Sequence, residues 1–595
     1  MILESLNALY DRLASDPDYL IAPPGWSVQK VTFRVVVTRD GEISDIEDVR
    51  RSIDARPRPR MLAVPGRTKS PGAGINPCFL WDTAQYMVGF KIDDLKPERT
   101  QKAFAAFRER HVEVEAGVGS ERFSAVCRFL ERWQPRDASA YPALLDAAAT
   151  GYGVFQVVGE AGYVHSDPAV REWWDTQVAG RPDGPEGQCL VTGRRSPLAR
   201  LHPKIKGVAG AQTAGATIVG FNEDAYESYG KSQSFNAPVS QEVASRYGKA
   251  LNALLDGPMR TKHRLLLGNT TLAFWTAQPS PTEDIFLRFL SEGSEIVEDA
   301  AAQDEATRRK VEAFLRALRI GREAFSELDA NAEATSYFLL GLAPNVARIS
   351  VRFFHQGTIA DLLSALRTHH DDIRVVGSPA AGNRPGDPEF PPSWRLLEQT
   401  ARKAKDIPPL LAGPLLHAVV TGAPYPRALF NAVIRRIAAD RKIDYFRACV
   451  MKGYLNRNLN EEVSVSLDVD REDPPYRLGR LFAALEKTQN DASGGGLNKT
   501  IRDSFYSSAS ATPGSVFPRL LRTYQHHLAK LEGGRRVNRE RLVQEILDPL
   551  GGFPGHLSLP GQGLFAIGYY HQMRDFYTKK TDQGGEDFEG TEEEV

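Results

Sequence analysis

Cysteine is scarce in this chain. Its 595 residues include four, Cys78, Cys127, Cys189 and Cys449, far apart and with no CxxC pair. That spacing argues against a disulfide framework or a zinc site and predicts buried free thiols in a reducing cytoplasm. Long apolar runs are missing too, and none approaches the roughly 18 residues a membrane span needs. The opening MILESLNALYDRLASD carries acids and no basic stretch leading into an apolar core, so no signal peptide is expected. Net charge is nearly absent, at −1. Bulk attraction to a polyanion is therefore excluded, and any such binding must come from local patches.

What is present is ordinary for a globular protein: 42% hydrophobic and 25% charged residues. The length exceeds one core, so three or four domains are expected. The expected fold class is α+β, with an irregular mixed α/β N-terminal region followed by an all-α C-terminal helical bundle. Residues 1–280 form the mixed region. It opens on an amphipathic helix (Ile2, Leu6, Leu9, Leu13). A hairpin follows, Val31–Val37 turning at Asp40-Gly41, and then a short strand over Met61–Val64. Helices are expected near Glu98–Glu109, Glu121–Arg132 and Gln241–Asp256. Residues 281–376 hold acidic helices and then a strand–strand–helix unit (Tyr337–Leu342, Arg348–Phe354, Ile359–His369). Residues 377–392, dense in Pro, Gly and Asp, are the linker candidate. Residues 393–475 are helical. Residues 476–580 hold five helical segments, with breaks expected at Asp491–Gly496 and at Glu532–Arg536, enough for a bundle. Up to Lys580 this bundle has 15 Lys and Arg against 8 Asp and Glu. The tail, 581–595, holds seven acids and reads as disordered. Its charge hides that of the bundle in the whole-chain total.

Three stretches resemble catalytic or cofactor motifs. His369-His370-Asp371-Asp372 could serve a metal-dependent nuclease, but such a site needs a further upstream His and a downstream Asp, which no spacing here supplies. Gly494–Thr500 resembles a phosphate-cradling loop, yet Asn498 stands where that loop needs Gly. Gly207–Gly215 precedes an apolar strand (Ala216–Gly220), whereas a dinucleotide loop follows its strand. No metal or cofactor is expected.

Polyanion binding fits better. The stretch from Gln188 to Ser240 combines glycines and aromatics with Arg194, Arg195, Lys204, Lys206, Gln212 and Lys231. From Leu190 to Asn269 there are 11 Lys and Arg against 5 Asp and Glu. Glycines there let backbone approach a phosphate chain closely. Near the C-terminus Arg519, Arg522 and His526 share a helix face, with Lys530, Arg535 and Arg536 just beyond, a stripe suited to a nucleic-acid backbone. A third candidate is the breaker-rich loop Pro65–Pro77, which carries Arg67, Thr68, Lys69, Ser70 and Asn76. An asparagine there can pair with adenine, and small polar loops enter the minor groove.

Several strings carry a family resemblance: Val191-Thr-Gly193, Leu198-Ala-Arg-Leu-His-Pro203, Glu227-Ser-Tyr-Gly230, Asn236-Ala-Pro-Val-Ser240, Trp81-Asp-Thr-Ala-Gln-Tyr86 and Gln562–Gln572. Across essentially the whole chain the sequence resembles the large subunit of the subtype I-C CRISPR surveillance complex (Cascade). The resemblance implies a non-catalytic cytoplasmic subunit of a ribonucleoprotein. Its implied partners are the guide CRISPR RNA, target double-stranded DNA and the other Cascade subunits (backbone, 5′-handle cap subunit and small subunit). It would sit at the guide-handle end, read the protospacer-adjacent motif, aid unwinding and R-loop formation, and help recruit a helicase–nuclease. It also implies that the C-terminal bundle is like the Cascade small subunit. Two other functions stay open at this point, a nuclease using His369–Asp372 and a purely structural assembly subunit.

Overall fold

The computed structural model describes every residue except 24, 54–55, 67–73, 150, 180–183, 222, 293–304, 381–384, 496 and 579–595. The chain divides into two compact units, one of Met1–Arg264 with Leu342–Val351, the other of Leu265–Gly341 with Arg352 onward. The architecture is mixed α+β, with sheets in the N-terminal region and helices in the C-terminal region.

The first unit is built around one long strand, Trp26–Val37, rich in β-branched and aromatic residues. Its first half pairs antiparallel with Arg60–Pro65. Its second half pairs antiparallel with Ile43–Asp48 and, on the other edge, parallel with Tyr152–Val157. Trp81–Asp82 completes this five-stranded sheet. Gly41, at φ +81°, closes the expected hairpin, where Thr38 N–H donates to Glu42 O at 2.8 Å. The helices Pro97–Val118 and Glu121–Arg132 cover the sheet, burying Phe104, Phe107, Phe123 and Phe129 in one core with Phe33 and Phe155. Ser120 caps the second of these helices, its hydroxyl accepting from Phe123 N–H. The opening helix, Ile2–Ser15, packs on the helix Gln241–Asp256, where Arg246 pairs with Asp11 and lies over the Tyr10 ring at 4.8 Å.

The second unit carries a four-stranded sheet in the order Arg264–Leu267, Thr270–Thr276, Ser336–Asn345, Arg348–Thr358, and the tip of its last hairpin belongs to the first unit. Ile359–Ile373 follows behind a capping box in which Thr358 and Asp361 each bond the other's backbone N–H. Five helices close the fold: Pro474–Ala492, Ile501–Ala511, Pro513–Leu528, Gly533–Leu547 and Leu559–Tyr577. The first and last of these press together at glycines. A Cβ on Gly479 would collide with Phe565 O, and one on Gly568 with Tyr476 O. One apolar core runs from the sheet through the bundle.

The expected elements are largely present, with two differences. Ala216–Gly220 is no strand. Ile205 and Ala216 form a single bridge, as do Thr217 and Arg348, and no ladder extends from either. The stretch over Glu532–Arg536, expected as a break, is instead a helix start. Glu532 takes an extended cap conformation and the helix begins at Gly533. Glycine is tolerated there because first-turn N–H groups need no intrahelical partner.

Candidate nucleic-acid interface

The central basic segment is held in place by the helix Gln241–Asp256. Glu186–Gln188 and Arg195–Pro197 form a two-stranded hairpin whose turn is closed by Gly193 N–H on Cys189 O and Cys189 N–H on Arg194 O. Arg194 and Arg195 are exposed on it. Behind the turn Cys189 is buried. Burial raises its pKa, but the backbone N–H groups of Ser240, Thr192 and Val191 lower it further, to a net value of about 7. The Ser240 N–H lies 3.3 Å from the sulfur, and Ser240 also caps the helix. Lys231 is exposed and shares a cavity of about 580 Å³ with Gly193, Gln188 and Phe235.

Lys204 and Lys206 sit elsewhere. They flank fully buried Ile205, so both project outward by simple alternation. Asn252 fixes their backbone, accepting from Lys206 N–H at 2.7 Å and donating to Lys204 O at 3.0 Å. Asn252 lies twelve residues beyond Ser240 on the same helix, roughly 18 Å at ~1.5 Å per residue. The central cations therefore form two groups, Arg194, Arg195 and Lys231 at one end of the helix and Lys204 and Lys206 toward the other. Gln212 is exposed in the glycine-rich loop on the Ile205 side. The glycines of that loop do not offer an open cradle. A Cβ on Gly207 would meet Leu255 O at 2.5 Å and one on Gly215 would meet Ile205 O at 3.0 Å. Their close approach is to the protein's own backbone, which corrects the sequence-based expectation of a phosphate contact there.

In the bundle, Arg519, Arg522 and His526 are exposed along Pro513–Leu528, opposite buried Phe517, Leu520, Tyr524 and Leu528. Arg519 lies over the Phe505 ring at 5.3 Å. Lys530 sits in the following turn, and Arg535 and Arg536 in the first turn of Gly533–Leu547. Among the described residues, none of Arg522, Lys530, Arg535 or Arg536 forms an ion pair, and neither do the five central cations. Two arginines at a helix N-terminus oppose the helix dipole, an arrangement that an anion would relieve.

Of the N-terminal candidates, Arg67, Thr68, Lys69 and Ser70 lie outside the described residues. Asn76 is exposed at the loop's exit, its amide nitrogen against Gly74. The exit is fixed by the helix Pro97–Val118. Arg99 donates to Gly74 O, Arg110 donates to Pro77 O, and His111 Nε2 accepts from Leu80 N–H at 2.9 Å. His111 Nδ1–H donates to Phe107 O at 2.7 Å. Burial pushes its pKa down to about 3, so the ring is neutral and serves as a spacer.

His369–Asp372 lies at the end of the Ile359–Ile373 helix. His369 is buried and bonded to Tyr425 Oη at 2.6 Å, and burial pushes its pKa down to about 3. Asp372 pairs with Arg457 at 2.6 Å, and Lys452 Nζ donates to the carbonyls of Asp371 and Asp372. These groups are occupied in packing and helix termination. Among the described residues no group of three or more His, Cys, Asp or Glu could hold a metal ion. No described helix is long and apolar enough to cross a membrane.

Exposed cations without carboxylate partners are the arrangement that a polyanion-binding surface requires. A family model described as CRISPR-associated protein (Cas_Csd1) matches residues 6–577. The chain belongs to that family, the large subunits of the type I-C complex. No curated protein matches it.

Proposed function

We propose that this chain is the non-catalytic, DNA-reading large subunit of a type I-C Cascade. In this role it binds the guide RNA handle beside the other subunits, recognises the protospacer-adjacent motif on duplex DNA, and aids unwinding. It then steadies the R-loop and helps recruit the helicase–nuclease. The observation that carries the proposal is the set of exposed, unpaired cations in a CRISPR-associated chain. Arg67, Thr68, Lys69, Ser70 and Asn76 are assigned to the motif, and the central and bundle cations to nucleic-acid backbones. Asn76 supports its assignment by standing exposed on a segment pinned at three points. Guide pairing supplies sequence, while the protein reads a short motif and phosphates.

The test compares the reconstituted complex with and without this chain on duplexes that differ only in the flanking motif, at one salt concentration. Loss of motif discrimination without the chain supports the proposal. Discrimination that survives removes the DNA-reading role and leaves a scaffold.

A further inference from the structure

Tyr229 stands out on two independent counts. It is 98% exposed, more so than any other aromatic among the described residues. Its backbone also sits at φ +54°, in the left-handed region that bulky side chains avoid. Gly230 follows at φ +66°, and Lys231 N–H closes the turn on Ser228 O at 3.0 Å. Two successive positive φ values make a tight turn of the type that normally carries Asn-Gly. Tyrosine at its first central position costs stability and buries nothing.

The turn cannot relax. Asn236 braces it from below, donating to Lys231 O at 2.7 Å and Gln233 O at 2.9 Å while accepting from Ser228 N–H at 2.9 Å. Glu227 accepts from Gln233 N–H, and Arg200 holds the Gln233 side chain at 2.9 Å. A strained conformation held from several sides, with a large ring at its tip, marks a functional position. The ring's neighbours, Ser228, Gly230 and Ser232, are small and exposed. These chain neighbours give the ring no apolar surround of the kind found at the centre of a protein interface. A single flat ring with Lys231 two residues away suits one unstacked base and its phosphate.

We propose that Tyr229 is a base-stacking residue, and this rests on the nucleic-acid role proposed above. The braced turn holds the ring at a fixed height, where an unpaired nucleobase lies against its face and Lys231 meets the adjoining phosphate.

The experiment uses the assembled complex with four forms of this chain, namely wild type, Tyr229→Phe, Tyr229→Ala and Tyr229→Gly. 2-Aminopurine is scanned through the target DNA in one arm and through the guide RNA in the other. Tyr229→Phe should bind as wild type does. Tyr229→Ala, equally strained but ringless, should lose about five-fold or more in affinity, the low end of one stacking contact. It should also brighten one 2-aminopurine position, and the arm in which that position appears names the strand. Tyr229→Gly should lose the same affinity yet raise the thermal midpoint, because glycine accepts the left-handed region. Wild-type affinity and an unchanged scan in Tyr229→Ala overturn the proposal. So does failure of that variant to enter the complex, which makes the ring's partner a protein. Arg194→Gln/Arg195→Gln is run beside it. Weakened binding there with an unaffected Tyr229→Ala removes the stacking role alone, and no effect in either removes the central nucleic-acid surface as well.

Discussion

Arg535 and Arg536 occupy the first turn of Gly533–Leu547, where the helix carries about half a positive charge. Each exposed cation there costs roughly 0.3 kcal/mol or more at low salt. Replacing both with glutamine should therefore tighten that helix by about 0.6 kcal/mol, read as slower amide exchange over its first turns. If the pair grips nucleic acid, the same variant must bind it less well. Each lost contact to a single strand lowers the slope of log affinity against log salt by ~0.7, so the pair should lower it by about 1.4. The assay is target binding by the assembled complex between low and moderate salt, with wild type alongside. A slope that does not move, beside a helix that does tighten, refutes the claim that these arginines hold a phosphate chain. Faster exchange in the variant refutes the dipole argument itself.

Other outcomes follow from the same geometry. Asn76→Ala should abolish motif preference and leave the thermal midpoint unchanged, because its side chain is exposed, and a gel shift with equal preference in both forms removes Asn76 from the motif contact. Burial holds His111 and His369 at about 3, and His165, His202 and His571 at about 4, against an ordinary ~6.5. Below ~6.5 the unfolded chain takes up protons that the folded one refuses. Stability is therefore full above that pH and falls as pH drops toward 4, by up to about 1.4 kcal/mol per pH unit for each histidine. A urea midpoint that holds steady from pH 7 to 5 counts against this. Gly479→Ala forces a Cβ into Phe565 O, a backbone atom that cannot swing away. It should cost about 3 kcal/mol or more, the upper range of core overpacking, and an unshifted midpoint contradicts the interlock.

Long periodic elements were legible in the sequence. The helix Gln241–Asp256 has the expected bounds, and all five bundle helices exist. The hairpin at Gly41 was legible from Asp40-Gly41 between apolar runs. The segment 184–240 was not, because its order comes from single bridges and side-chain bonds such as those of Asn236, which leave no period in the residues. Gly207 and Gly215 have the composition of a ligand cradle, and only their neighbours reveal that protein already fills the space. The basic stripe was visible as spacing, while the helix start that places Arg535 and Arg536 against the dipole was not. Tyr229 carried one signal, a glycine directly after it, too common to single out.

The clasp between Pro474–Ala492 and Leu559–Tyr577 has a bearing on synthesis. The two segments begin 85 residues apart. At ~5–20 residues per second, the ribosome takes on the order of ten seconds to deliver the second after the first. Arg480 waits meanwhile for Gln572, and Glu486 for the Tyr569 hydroxyl. The nascent first helix keeps its charged groups in water and the notch at Gly479 open. The bundle can lock only once the later helix arrives.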